Sequence, residues 1–411
     1  MNKKNIILAI LLIFGMQSFS QNYNQTLGQT TDDVNTITTS VPFLMIAPDA
    51  RAGSMGDAGV SSSPDANSQH WNPAKYAFIE DDMGFAVSYS PWLRSLVNDI
   101  YLAYLSGYKR IDRNQTISAS LLFFSLGEIN FTNKIGESIG SFSPNEFAVD
   151  LAYSRKFSDN FSGAVALRYI YSNLTGGIFV GGIESKPGQT IAADISVYYQ
   201  KEYDLGAEDA LFAFGANISN IGNKISYTET TERDFIPINF RLGPSFTINL
   251  DKYNSLALMV DVNKLLVPTP PIYKQDDSTG QYIVGDDGKY EIAEGQDPDR
   301  SVVSGMFGSF SDAPGGFNEE FHELAFSVGL EYWYDKQFAI RAGYFHEHEL
   351  KGNRKYLTLG AGLKYNVFGL DFAYLIPATK DVKSPLENTL RFTLLFDFAA
   401  FKEQNKKPSV K

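Results

Sequence analysis

The feature that most constrains this chain is an alternation of apolar and polar side chains with a period of two, which recurs from Met83 to Phe398. A period of two places the two sets of side chains on opposite faces of a β-sheet. In the last such segment, one face carries Leu390, Phe392, Leu394, Phe396 and Phe398, and the other carries Thr389, Arg391, Thr393 and Asp397. Because burying unpaired charges in a dry core is costly, we expect the polar face to line a hydrated lumen.

Fourteen segments share this pattern, and their connections alternate between short and long. The segments are 83–90, 99–109, 115–126, 146–156, 161–172, 190–202, 210–219, 237–250, 255–263, 321–334, 338–346, 356–365, 367–376 and 388–398. Short turns at one rim and longer loops at the other are typical of barrels with periplasmic and extracellular ends. The sequence therefore predicts an all-β fold, a transmembrane antiparallel β-barrel of about 14 strands over 83–398.

The N-terminus has the features of a cleavable signal peptide over residues 1–20. Lys3 and Lys4 precede an apolar run over 6–16, and small residues at 18–20 suit signal peptidase. The run is too short to span a membrane as a helix, and no other stretch is long and apolar enough. An exported chain of this kind is either soluble or a barrel.

The segment over 41–82 does not alternate and is rich in Gly, Ala and Ser, followed by an Asn-Pro turn. A compact irregular segment before a wide barrel is typical of a lumen plug, since a barrel of this width would otherwise leave an open channel. We expect residues 21–40, which are polar and Thr-rich, to form a flexible periplasmic lead. Residues 399–411 are predicted to be a periplasmic tail.

Charge and cysteine content exclude several classes of function. The formal net charge is -12 and no cluster of Lys and Arg is present, so no nucleic-acid partner is expected. The chain has no cysteine, which excludes disulfides and thiolate chemistry.

The N-terminal segment also carries a family resemblance. It reads PDARAGSMGDAGV over 48–60, DAN over 65–67 and WNPAK over 71–75. This pattern resembles the plug signature of the PorV family, outer-membrane proteins of the type IX secretion system, and part of it is shared with the fourteen-stranded FadL-type transporters and with PorQ. The signature residues are Asp49, Arg51, Gly53, Met55, Gly56, Gly59, Asp65, Asn67, Trp71, Asn72, Pro73 and Ala74.

The resemblance implies a binding role without covalent chemistry and without a cofactor. PorV-like proteins collect cargo that carries a C-terminal sorting domain as it leaves the SprA-type translocon. They present it to the PorU-type sortase, which attaches it to surface lipopolysaccharide. The extracellular loops are the expected contact surface.

The longest loop, 264–319, is the main candidate for that contact. Its Pro-rich entry includes Pro270, and the Asp-Gly at 287–288 between two short β-prone runs predicts a hairpin. An apolar stretch then follows, and exposed apolar stretches on loops usually mark contact sites. The candidate contact residues besides Pro270 are Val302, Val303, Met306, Phe307 and Phe310.

The sequence gives little evidence for a metal site or a catalytic site. His346 and His348 would share a strand face and could bind a metal, but no third ligand has suitable spacing. Hydrolase motifs are missing, so we expect neither a catalytic nor a metal site. An alternative function is a FadL-like transporter of long-chain fatty acids or other hydrophobic molecules. Its wall would break at Gly243-Pro244 in the eighth strand, or at Gly176-Gly177 or Gly181-Gly182 above the fifth, although a bulge or loop turn is the commoner explanation for such residues. A third, an enzyme that acts on lipid A, lacks any residue constellation.

Overall fold

Fourteen antiparallel strands form a closed barrel in which the first strand pairs with the last. The computed structural model describes residues 34–398 except 94–96, 98, 133–134, 177–178, 181–182, 207, 229–232, 277–278, 287 and 379–388. The barrel strands are β1 Met83–Pro91, β2 Ile100–Arg110, β3 Gln115–Leu126, β4 Asn145–Lys156, β5 Phe161–Asn173, β6 Gly188–Asp204, β7 Asp209–Gly222, β8 Asn239–Asn249, β9 Asn254–Leu265, β10 Ala325–Tyr334, β11 Phe338–His346, β12 Lys355–Tyr365, β13 Phe368–Pro377 and β14 Leu390–Asp397. The predicted fold class is confirmed.

The two faces of the wall differ as the alternation requires. On β14, Leu394 is 49% exposed on the outside, whereas Arg391 is 2% exposed on the inside. Leu167 and Ile191 continue the apolar outer wall, at 66% and 62% exposure. Apolar side chains that point outward all round a closed barrel are what a hydrocarbon environment stabilises. No helix in the described part of the chain is both long and apolar enough to cross a membrane, a finding that concerns helices alone.

The connections divide the barrel into a short-turn rim and a long-connection rim. The short turns are 111–114, 157–160, 205–208, 250–253, 335–337 and 366–367. The long connections are 92–99, 127–144, 174–187, 223–238, 266–324, 347–354 and 378–389. In the described part of the chain, three of them contain two-stranded hairpins: Ile129–Thr132 with Ser138–Phe142, Phe179–Val180 with Ile183–Glu184, and Ile272–Tyr273 with Ile292–Glu294. β1 begins and β14 ends at the short-turn rim, as an even strand number requires.

The N-terminal segment 41–82 lies inside the barrel. It contains the short helices α1 (Ala50–Gly53) and α2 (Ser68–Trp71) and the 3-10 turns Pro42–Met45 and Pro73–Phe78. Its hydrogen bonds reach strands on different sides of the wall. The Ala50 N–H donates to Thr393 Oγ1 of β14 at 2.9 Å, the Gly59 N–H to Asp261 Oδ2 of β9 at 2.7 Å, and Asn72 Nδ2 to the Val197 carbonyl of β6 at 3.0 Å.

Small residues let this segment approach the wall closely. Gly56 has φ +67°, and a Cβ there would lie 2.6 Å from the backbone of Tyr344 on β11. Only glycine adopts this conformation at such a contact without strain. The close backbone approach explains why the segment is rich in Gly, Ala and Ser.

Charged side chains on the inner wall are paired with this segment. Arg51 contacts Asp65 at 2.8 Å and Glu331 of β10 at 2.7 Å, and Glu331 also accepts from Arg341 Nε at 2.7 Å. Arg391 pairs with Asp57 at 3.0 Å. The expectation of a hydrated lumen around Arg391 was therefore wrong. The N-terminal segment packs against these side chains and supplies the opposite charges that buried ions need.

The predicted periplasmic lead over 21–40 also needs correction where the structure describes it. Asn35 Nδ2 donates to the Pro270 carbonyl at 2.9 Å, and the Ser40 N–H donates to the Phe235 carbonyl at 3.0 Å. Both acceptors belong to long connections, so residues 35–40 lie at the long-connection rim. The signal peptide, residues 21–33 of the lead and the tail 399–411 lie outside the described residues and stay predictions.

Single-cysteine labelling tests which rim faces the outside, and the absence of native cysteine makes the test clean. Thr36 is exposed at the long-connection rim and Arg113 at the short-turn rim. With a membrane-impermeant maleimide, T36C should be labelled in intact cells and R113C only after lysis. The reverse pattern would contradict the predicted orientation.

Removing Glu331 tests the buried charge network. E331A leaves Arg51 and Arg341 facing each other without their shared carboxylate, which should cost about 3–5 kcal/mol of stability. The measurement is the temperature at which the folded band disappears on a semi-native gel. E202A, at an exposed glutamate near the end of β6, is the matched control and should leave that temperature unchanged. Equal melting of the two variants would show that the network is not stabilising.

Candidate functional site

The connection 266–324 is the largest structure on the long-connection rim. It begins with a two-stranded hairpin, in which Ile272–Tyr273 pairs with Ile292–Glu294. Between these strands, Val284 and Tyr290 form a further antiparallel bridge. The predicted hairpin is therefore present. Two helices follow, α3 (Val302–Gly308) and α4 (Gly316–His322).

A cluster of buried ion pairs ties this connection to the barrel. Lys264, at the end of β9, contacts Glu320 at 2.9 Å and Glu323 at 2.6 Å. Glu323 also accepts from Lys351 of the connection 347–354 at 3.1 Å and from Thr269 Oγ1 at 2.7 Å. These bonds join both ends of the long connection to each other and to a second connection. The connection is thus held against the rim rather than standing free.

Glu319 adds to the same cluster. Its carboxylate accepts hydrogen bonds from Lys351 and from Asn35. Partial burial would raise the pKa of Glu319, but the hydrogen bond and the charge of Lys351 outweigh it, so the pKa lies below its ordinary value. The lowered pKa favours the ionised carboxylate that pairs with Lys351.

Helix α3 has two different faces. Val302 and Met306 pack against the apolar cluster at the top of the lumen. On the other face the side chains have no such cover: Val303 is 63%, Phe307 75% and the following Phe310 52% exposed. The sequence-predicted contact residues thus divide into two that anchor the helix and three that face outward. The sixth, Pro270, accepts a hydrogen bond from Asn35 through its carbonyl.

The sequence did not predict helix α4. Residues 321–324 were predicted as the beginning of a strand, but β10 begins at Ala325 and α4 ends at His322. Phe317 and Phe321 are 83% and 56% exposed. Their i, i+4 spacing is typical of a helix, but Phe321 also fits the period-two pattern and was therefore assigned to the strand. The Phe321 ring lies 6.3 Å from Phe326 on β10. The apolar face of α4 therefore continues the outer wall of the barrel.

The signature residues build the interior of the N-terminal segment. Asp49 caps α1 by accepting from the Ala52 N–H at 2.9 Å, and it also accepts from Trp71 Nε1 at 2.6 Å. Asn72 Oδ1 accepts from the Ala74 N–H at 3.0 Å, while the Pro73 carbonyl accepts from a β4 serine. The other signature residues, Arg51, Gly53, Met55, Gly56, Gly59, Asp65 and Asn67, are buried or nearly so.

The contacts of the signature residues are therefore internal. Asn67 Oδ1, for example, accepts from Ser106 Oγ on β2 at 3.0 Å. Residues that cap helices and bond to the inner wall fix the segment in place. This is a structural role, distinct from contact with a ligand outside the barrel.

The two histidines of the predicted metal candidate do not share a strand face. His346 ends β11, whereas His348 begins the 3-10 turn Glu349–Lys351, where its Nδ1 accepts from the Leu350 N–H at 3.3 Å. The His348 ring stacks on His322 of α4 at 3.6 Å. Burial, and then the nearby His322, lower the pKa of His348. Among the described residues no group of three or more His, Cys, Asp or Glu could hold a metal ion.

Solved structures similar to this chain share little sequence identity with it. The toluene transporter TodX of Pseudomonas putida is 12% identical, with 85% of this chain and 98% of that chain covered and a TM-score of 0.47. A FadL homologue of Pseudomonas aeruginosa is 10% identical, with 89% and 100% covered and a TM-score of 0.39. No curated protein matches the chain.

A family model gives the stronger result. The model described as type IX secretion system protein PorV matches residues 29–272, which is more than half of the 411-residue chain. The match includes the whole N-terminal segment and the first nine barrel strands. The fourteen-stranded outer-membrane barrel described above therefore belongs to the PorV family of type IX secretion proteins.

Proposed function

We propose that this protein is the docking component of type IX secretion that receives cargo at the long-connection rim. It binds the C-terminal sorting domain of cargo leaving an SprA-type translocon and presents it to a PorU-type sortase, beside the lipopolysaccharide of the outer leaflet. The observation that carries the proposal is the outward apolar face of α3 and of the turn after it, formed by Val303, Phe307 and Phe310, on a connection tied firmly to the barrel.

An anchored apolar face suits protein binding. Large apolar side chains that lie outside any core usually mark interfaces, and a few buried aromatic anchors provide most of the binding energy there. Because Val302 and Met306 fix α3 against the top of the lumen, the helix is already ordered before a partner arrives. Less ordering entropy is then lost on binding. Helix α4 differs, since Phe321 joins the outer wall and is better suited to the membrane interface.

We propose further that segment 41–82 acts as a plug, which supports docking over transport. Its hydrogen bonds to β6, β9 and β14 close the lumen between the rims with buried polar groups. The suggested opening at Gly243-Pro244 is a short gap in the β8–β9 pairing, which continues in the same register from Leu242 to Ser245. Yet the adjacent Asp261 is bonded to the plug at Gly59 and Val60. A FadL-like carrier would have to break these bonds at every passage.

A triple substitution on α3 tests the docking proposal. V303S/F307S/F310S removes only exposed apolar groups, so the barrel and its anchors should stay intact. Affinity purification from native envelopes should then recover at least tenfold less cargo bearing a sorting domain, because aromatic anchors dominate such interfaces.

The matched control lies on the same connection. Y282S/V284S/Y290S removes three exposed apolar side chains from the hairpin and should retain cargo. Equal cargo recovery from both variants and the unmodified protein would refute a docking role for α3. Impaired growth of a deletion strain on long-chain fatty acid, with secretion intact, would favour the carrier function instead.

A further inference from the structure

A cavity of about 420 Å³ lies below the long-connection rim, between the N-terminal segment and strands β8, β9, β11 and β12. Apolar side chains form much of its wall: Met45, Trp71, Leu265, Phe345 and Tyr356. A cavity of this size, apolar with a few polar groups, is typical of sites for small ligands or short peptide ends. Its charges indicate which ligand would fit.

Most charged groups around the cavity already have partners. They form three pairs: Asp57 with Arg391 at 3.0 Å, Glu347 with Arg354 at 2.7 Å, and Glu323 with Lys351 at 3.1 Å. Tyr356 also donates to Asp57, at 2.5 Å. These pairs balance one another, so they leave no spare charge for a ligand.

Arg241 on β8 is the exception. It is only 8% exposed, and no described carboxylate forms an ion pair with it. Its Nε donates to Asn263 Oδ1 at 2.5 Å, and its guanidinium lies 4.4 Å from the centre of the Trp71 ring. Neither Nη atom has a hydrogen-bond partner among the described residues, although Arg241 lines the cavity. Asp261, on the neighbouring strand, accepts the backbone N–H groups of Gly59 and Val60 through Oδ2, whereas its Oδ1 has no hydrogen-bond partner among the described residues and forms no ion pair with Arg241.

A buried, oriented and unpaired guanidinium is costly unless an anion meets it. Asn263 and Trp71 fix the side chain of Arg241 at the cavity wall. Its two Nη groups are therefore available as a pair of hydrogen-bond donors, or fork, for a ligand. That fork matches the two oxygens of a carboxylate. The surrounding aromatic and aliphatic side chains suit an apolar group attached to the same carboxylate.

We propose that this cavity binds the carboxylate of an apolar ligand, with Arg241 as the anion-binding residue. The carboxylate could be that of a fatty acid or the free C-terminus of a polypeptide, since the two share this chemistry. The proposal rests on residues other than those of α3, so it stands or falls independently of cargo docking by that helix.

Trp71 provides the reporter for the test. The chain has three tryptophans, so W92F/W333F leaves Trp71 as the only one, and its ring contacts the guanidinium. The folded full-length protein in detergent is titrated with octanoate and, separately, with N-acetyl-Leu-Phe carrying a free carboxylate. The matched neutral probes are octanamide and the amidated dipeptide.

At least one acid should produce a saturable change in Trp71 fluorescence at least tenfold tighter than its amide. R241Q should abolish this preference, while R241K, which keeps the charge but loses the fork, should weaken it. A response to octanoate alone would identify a fatty acid as the ligand type, and a response to the dipeptide alone a polypeptide C-terminus.

Equal binding of acid and amide by the unmodified site would overturn the proposal, and so would an undiminished preference in R241Q. The comparison of acid with amide needs no substitution of Arg241. The test therefore decides the question even where R241Q fails to fold.

Discussion

Hydrocarbon cannot hydrogen-bond to a peptide group, and the rest of this structure depends on that constraint. Every strand must find partners on both sides, so the sheet closes, with β1 paired to β14. Apolar side chains then face outward and polar ones inward. The inward charges in turn need partners, and the N-terminal segment provides them, as the contact of Arg51 with Glu331 illustrates.

A lumen filled in this way shifts the expected function to the rim. The segment bonds to strands on different sides of the wall, and as the proposed plug it would close the lumen to passing material. The side chains that a partner protein could contact then lie on the long connections. The cluster around Glu323 and Lys264 makes part of that rim rigid, and rigid elements place binding residues more reproducibly than free loops do.

The strands were predictable because alternation is a local property of the sequence, read one segment at a time. Helix α4 was missed because Phe321 fits both a period of two and an i, i+4 pair with Phe317. The environment of Arg391 was mispredicted because its partner, Asp57, lies more than three hundred residues away in the chain. Arg241 could not have been singled out at all, since its lack of an acidic partner is visible only in three dimensions. Long-range pairing, unlike periodicity, leaves no trace in a single sequence.

Site-specific photo-crosslinking at Phe307 tests the central claim most directly. A photoreactive phenylalanine analogue at this position, activated in living cells during secretion, should crosslink to the sorting domain of cargo or to the sortase that receives it. The same analogue at Leu167, on the lipid-facing wall, should give no such protein adduct. No adduct with cargo or sortase at Phe307, with the protein folded and secretion active, would contradict docking at α3.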